Sequence, residues 1–155
     1  MKLTATSSLV ALSQVLAVVA LQPTSPQVQL FQDWMDAFAA NDFEAVGAAL
    51  ADNLAWEMLP QSLNQPKQDK AGFLNFASSL RGQFATFNFT ASLIAEQHGR
   101  LVHMTEPAGI TLEGREYHNQ IINTVDVKLI DGKYKITTMQ EFVDSLYSSQ
   151  WITTT

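Results

Sequence analysis

Two long extended segments, Glu116–Val127 and Tyr134–Phe142, are joined through Asp131-Gly132, and this pairing restricts the chain more than any other feature. Asp-Gly tolerates the positive φ angles of a tight turn, so the segments are expected to fold back on each other as a long β-hairpin. The second segment ends in Gln140-Glu141-Phe142-Val143-Asp144-Ser145. It therefore places an acidic side chain near the end of the last strand.

The elements ahead of the hairpin separate by hydrophobic period. Phe31, Trp34, Met35 and Phe38 recur at helical spacing within Gln27–Ala40, while Gln29, Gln32, Asp33 and Asp36 lie mostly elsewhere, which predicts an amphipathic first helix. Asn41 is the expected N-cap of a short second helix reaching about Leu50, with Glu44 at the capping-box position. Ala55–Leu59 reads as a short strand stopped by Pro60, followed by a polar loop over Gln61–Asp69. Phe73, Leu74, Ala77 and Leu80 then predict a third helix over Lys70–Leu80, closing near Gly82.

Beyond Gly82 the period falls to two. Phe87, Phe89, Ala91, Leu93 and Ala95 alternate with other residues as in a half-buried strand, Gln97-His98-Gly99 supplies a turn, and Arg100–Glu106 returns as a strand. Pro107–Gly114 reads as a connection to the hairpin. Helices first and antiparallel strands afterwards indicate α+β architecture, with the helices packed on one face of a strongly curved sheet.

Composition removes several functions. A chain of 155 residues with 46% apolar content is long enough for one domain with a real core. Its 15 acidic against 9 basic residues give a net charge of -6, and no Lys/Arg cluster tracks phosphates, so nucleic acid is not an expected partner. The absence of cysteine excludes disulfides, a thiolate nucleophile and Cys-based metal sites. No His-Glu-x-x-His run or phosphate-binding glycine loop is present, and no cofactor is implied.

Residues 1–20 read as a signal peptide: Lys2 is followed by the nearly apolar run Leu9–Leu21, with Val18-Val19-Ala20 before a cleavage point. The run is interrupted by Ser13 and Gln14 and is shorter than the about 20 apolar residues of a stable membrane span. The other reading is an N-terminal helix packed on the domain. The leader reading places the protein in the secretory pathway or outside the cell. Asn88-Phe89-Thr90 matches a glycosylation acceptor but adds little by itself to that case.

The succession Trp56-Glu57-Met58-Leu59-Pro60, Lys70-Ala71-Gly72-Phe73-Leu74, the Gly99-to-Thr105 strand, Tyr117-His118-Asn119, Asp131-Gly132-Lys133 and Glu141-Phe142-Val143-Asp144-Ser145 resembles the SnoaL-like polyketide cyclases, in particular small fungal SnoaL-like proteins. They belong to the nuclear transport factor two / ketosteroid isomerase-like superfamily, which also holds scytalone dehydratases and limonene-epoxide hydrolases. The resemblance covers the domain taken here as residues 27–151. It implies a cone-shaped curved antiparallel sheet with the three N-terminal helices on its concave face, a deep pocket between them, and often a homodimer formed through the outer sheet face. The reaction is not implied, because this fold hosts isomerases, dehydratases, hydrolases, cyclases and binding proteins.

Candidate chemistry then rests on individual pocket residues. Glu141 is the first choice, since a partly desolvated carboxylate on the last strand would have a raised pKa and act as a base near neutral pH. Alternation with Met139 and Val143 leaves both faces possible, and an outward Glu141 would form an ordinary salt bridge. Alternation puts Tyr117 and Asn119 on one face and His118 on the other; Tyr117 or Asn119 could donate to a carbonyl or enolate oxygen, or His118 could shuttle protons. The competing reading is a polar cluster that bonds a loop or a partner. His103, between Val102 and Met104, is equally readable as an acid/base and as a neutral core histidine, and His98 as a turn residue. Asp33 or Asp36 could approach from the first helix, whereas the Arg115 cluster with Glu113 and Glu116 does not reproduce an Asp-Arg-Asp water-activating set.

Trp34, Phe38, Trp56 and Phe73, with Phe31 and Phe76, could line a wide apolar pocket suited to a polycyclic or polyene ligand, although most must be core. The expected function is a cofactor-independent acid/base enzyme of secondary metabolism that cyclises, isomerises or dehydrates a polyketide-like small molecule. A secreted or lumenal binding protein that uses the same pocket without chemistry is the alternative. The exposure of Glu141 separates the two.

Overall fold

The computed structural model describes residues 24–148, so the expected leader and the last three positions of the expected domain lie outside the described residues. Three helices come first. Helix α1 (Pro26–Ala39) starts at Ser25, whose hydroxyl accepts from the Val28 amide at 3.2 Å, with Pro26 in the first turn where its missing N–H is harmless. Its buried stripe is Val28, Phe31, Trp34, Met35 and Phe38.

The junction to α2 (Phe43–Ala49) differs from expectation. Asp42 is the N-cap, its carboxylate accepting from the Ala45 amide at 3.0 Å. Asn41 instead sits at φ +63° and ends α1: the Asn41 amide donates to the Phe38 carbonyl and the Asp42 amide to that of Ala37. This is a Schellman closure, and asparagine tolerates its left-handed position better than most residues. Helix α3 (Lys70–Arg81) is capped by Asp69, which accepts from the Gly72 amide at 2.9 Å. Arg81 in its last turn donates to the Ala39 carbonyl at 3.1 Å and to that of Phe84 at 3.0 Å, which ties the end of α1 to α3 and to the first long strand.

The strands are β1 (Leu50–Leu59), β2 (Phe84–Gln97), β3 (Arg100–Thr111), β4 (Glu116–His118), β5 (Ile121–Ile130) and β6 (Lys133–Val143), and a short helix α4 (Ser145–Ser148) follows them. They form one six-stranded sheet in the order β1-β6-β5-β3-β2, with β4 also on β3. The architecture is α+β, an open, curved and mostly antiparallel sheet with helices packed on one face. One pair departs from the expected antiparallel pattern: β1 runs parallel to β6, and the chain between them passes through α3 and four other strands, so no tight turn forces the pair antiparallel.

Both hairpin turns use two residues at positive φ, His98 and Gly99 at 51° and 82°, and Asp131 and Gly132 at 49° and 75°. A side chain at Gly99 would also meet the Val127 carbonyl oxygen at 2.6 Å. The expected connection over Pro107–Gly114 is mostly strand, since β3 continues to Thr111. Pro107 is tolerated because its carbonyl accepts from the Asn119 amide, so the side on which its N–H is missing faces the gap between β4 and β5. That gap also breaks the expected strand Glu116–Val127 in two.

Candidate active site

Strand register brings polar residues from three strands into one row on the helix-covered face. His103 pairs with Asn123, and Asn123 with Glu141; Met58 on β1 lies beyond Glu141. Paired residues share a face, and Met139 and Val143, which flank Glu141 in its phase, are both buried. The orientation left open by sequence is thereby decided: Glu141 points inward.

A cavity of about 60 Å³ lies between α1, α3 and this face. Its walls are Phe31, Trp34, Met35 and Phe38 from α1, Phe73, Phe76, Ala77 and Leu80 from α3, and Phe87, Phe89, Pro107 and Ile121 from the sheet. Glu141, Asn123, Thr105 and Tyr117 are its polar groups. The space is far smaller than the wide pocket expected, because aromatic rings from both helices fill it. A drug-sized ligand needs roughly 300 Å³ or more, so some rings must move aside to admit one.

Glu141 carries the electrostatic signature of the site. Desolvation raises its pKa from 4.5 to about 7, and the Trp56 indole N–H opposes that rise only in part. Trp56 Nε1 faces this carboxyl yet falls short of hydrogen-bond geometry, so its effect is electrostatic rather than that of a formed bond. The residue as a whole remains half-buried, as expected of a carboxyl that borders an internal cavity. Glu57, on the opposite face, behaves in the reverse way. It accepts from Gln140 Nε2 at 3.1 Å and pairs with Lys67 at 3.3 Å, and the Gln140 bond is the largest influence lowering its pKa. The sheet thus holds one satisfied carboxylate outside and one desolvated carboxylate inside, the combination that marks the second as a functional candidate.

Tyr117 lines the cavity, and burial raises its pKa, with the charges of Tyr147 and Glu141 adding to the effect and the Asn119 bond opposing it. It therefore stays a protonated donor at neutral pH. Asn123 donates one Nδ2 proton to Thr105 Oγ1 at 2.8 Å, and an amide has a second. One carboxyl of near-neutral pKa and two uncharged donors in an apolar chamber can transfer a proton and stabilise an oxyanion.

The other sequence candidates are placed as follows. Trp34, Phe38 and Phe73 are on the cavity wall, whereas Trp56 lies behind it, its ring centroid 5.3 Å from Phe73 and 5.0 Å from Phe76. Asn119 is buried outside the cavity: its Nδ2 donates to Ser148 Oγ at 3.0 Å and to Tyr117 Oη at 3.3 Å, which fastens α4 beside the phenol. His118 is exposed on the other face of β4, with its amide donating to Tyr147 Oη. His103 is buried against Phe31 at 4.5 Å but is not on the cavity wall, and neither ring nitrogen has a hydrogen-bond partner among the described residues. Burial lowers its pKa and Glu96 raises it less, so the ring is neutral. Asp33 and Asp36 are exposed on α1, as are Glu113, Arg115 and Glu116 near the β3–β4 turn.

Asn123 and Thr105 were not among the sequence candidates. Their signal was present: Asn123 shares its strand phase with Ile121 and Val125, and Thr105 with Leu101 and His103. A polar residue inside an apolar phase marks a polar group facing the core.

Comparison with solved structures finds the same fold. The BvnE pinacolase from Penicillium brevicompactum superposes with a TM-score of 0.69 at 16% identity, covering 81% of this chain and 91% of its own. TerC, co-crystallized with polyporic acid, gives 0.67 at 17%, covering 81% and 97%. An NTF2-like protein of unknown function from Burkholderia pseudomallei gives 0.68 at 17%, covering 84% and 100%.

The fold is NTF2-like. No family model matches the chain, and no curated protein sequence does. Among the described residues no helix is long and apolar enough to cross a membrane, and no three His, Asp or Glu side chains gather to hold a metal ion.

Proposed function

We propose that this NTF2-like chain is a SnoaL-like, cofactor-independent acid/base enzyme that cyclises, isomerises or dehydrates a polyketide-like small molecule. The observation that carries the reading is Glu141, a carboxyl without a cationic partner among the described residues, held near pKa 7 in an apolar cavity beside Asn123. Glu141 takes a proton from carbon or oxygen of the substrate. Tyr117, and the second N–H of Asn123, donate to the oxygen on which negative charge develops. Trp34, Phe38 and Phe73 form the apolar wall against the carbon skeleton, and Asn119 holds the Tyr117 phenol in position. The pinacolase and the polyporic acid complex among the structural neighbours support a small-molecule substrate.

The test is turnover of polyketide-like β-dicarbonyl compounds, followed by product analysis and by deuterium exchange from solvent. The wild type is expected to react, and Glu141→Gln to lose activity by about 10²-fold or more. Unchanged turnover in the variant would exclude Glu141 as the base. Binding with no turnover in the wild type would favour the non-catalytic binding protein instead.

We also propose that two copies associate through the outer sheet face. There Met104, Ile122 and Phe142 form one row across β3, β5 and β6, with Ile122 and Phe142 exposed at 37% and 54%. A Phe142→Glu variant that sediments like the wild type would remove this row from the contact. The leader over residues 1–20 carries the proposal of a secretory location, checked by N-terminal sequencing of secreted protein.

A further inference from the structure

Asn88 carries a feature that the cavity chemistry leaves unused. Of seven asparagines in the chain, Asn88 alone opens an Asn-x-Ser/Thr triplet, with Phe89 as the middle residue. The strand turns this triplet in a definite way. Phe87 and Phe89 point inward, 5.1 Å apart ring to ring and both against Phe38, so Asn88 faces outward and is exposed. Its carboxamide has no hydrogen-bond partner among the described residues. Ala108 stands directly opposite on β3 and presents only a methyl group, which leaves space above the amide nitrogen. Thr90 Oγ1 is held at 3.4 Å from Glu106 Oε2.

The surroundings say what a group attached there would do. Strand β2 ends the sheet order, and Thr90–Gln97 is exposed throughout, with Leu93 at 46% and Ile94 at 57%. An open apolar edge of this length invites pairing with another strand. A large hydrophilic substituent on the same strand would obstruct that approach.

We propose that Asn88 is an N-glycosylation site and that its glycan shields the β2 edge. This rests on the leader at residues 1–20 but not on the enzyme reading. In the step, the Asn88 carboxamide nitrogen bonds the anomeric carbon of an oligosaccharide carried on a lipid diphosphate. The sugar–phosphate C–O bond breaks, the lipid diphosphate leaves, and the amide gives up one proton. The folded protein accommodates the product without displacing a core side chain.

The full chain, expressed in a eukaryotic secretory host, tests this by intact mass before and after treatment with an amidase that releases N-glycans. Wild type and Thr90→Ser are expected to carry a mass increment that the amidase removes, leaving aspartate at position 88. Asn88→Gln and Thr90→Ala are expected to carry none. The absence of an amidase-sensitive increment in all four proteins would overturn the site. Recovery of unprocessed wild type from the cytosol would overturn it together with the leader, while turnover through Glu141 would be untouched. Light scattering tests the shielding: the deglycosylated protein should self-associate more than the glycosylated one, and equal association would overturn that role.

Discussion

Removing the Glu141 charge should stabilise the protein, and by an amount that depends on pH. The folded-state pKa is raised from 4.5 to about 7, so the folded protein holds the proton more tightly than the unfolded chain does. The stability this gives is fully present below pH 4.5 and is lost as pH rises through 7. Above pH 8 the wild type therefore carries a desolvated charge that costs about 3 kcal/mol relative to the protonated form. Glu141→Gln keeps the shape without the charge. Urea denaturation of both proteins between pH 4.5 and 9 should show nearly equal stability at the acid end and an advantage for the variant that widens from pH 4.5 upward and levels off above pH 7 at about 3 kcal/mol. Glu57→Gln is the control with the opposite sign: its lowered pKa means that the charged form stabilises the fold, so the variant should be the weaker one at neutral pH and the gap should close in acid. A Glu141→Gln difference that stays flat across pH, or a variant weaker than wild type at pH 9, would refute the buried-carboxyl argument.

Three further outcomes follow from other residues. His103→Leu replaces two buried nitrogens that lack partners among the described residues, so it should gain about 1–2 kcal/mol in urea denaturation, more at pH 5 than at pH 8, because the wild type loses stability as pH falls below the ordinary histidine range. Asn119→Ala frees α4 from the Tyr117 phenol; it should lower stability by about 1–2 kcal/mol while reducing turnover less than about tenfold, well short of the loss in Glu141→Gln. Asp42→Ala should lower stability by about 1 kcal/mol through loss of the α2 cap, whereas Asn41→Gly should change it by a few tenths at most, measured by the same denaturation.

How far the sequence led depends on which physical signal each feature leaves. Hydrophobic period located α1 and α3, since burying a continuous face imposes that period directly, and the glycine-bearing pairs His98-Gly99 and Asp131-Gly132 located the hairpin turns. Alternation alone left Glu141 free to face either way, and the burial of Met139 and Val143 in the same phase decides it. The first half of β1 was hidden because Asp52 and Asn53 are exposed there and break the alternation. The extension of β3 was hidden by Pro107, whose tolerance depends on a gap in a partner strand more than ten residues away. Parallel pairing of β1 with β6 is a property of topology and leaves no local trace. The site divides in the same manner. Tyr117 and Glu141, which line the cavity, stood out as candidates because one bears a phenol and the other an acid. Asn123 and Thr105 left only the signal of a polar residue inside an apolar phase, which does not say that the two meet; Asn119 was set apart from the cavity by a strand break that no period reveals, and His118 by the alternation that puts it on the other face of β4.

The central claim is that Glu141 titrates near neutral pH inside the cavity, and the most direct measurement is a carbon-13 NMR titration of its side-chain carboxyl, assigned by its absence in Glu141→Gln. The expected midpoint is about 7, moving higher in Trp56→Phe, where the opposing indole N–H is gone. A midpoint near 4.5, or one indifferent to Trp56, would contradict a desolvated proton-transfer group and with it the proposed chemistry.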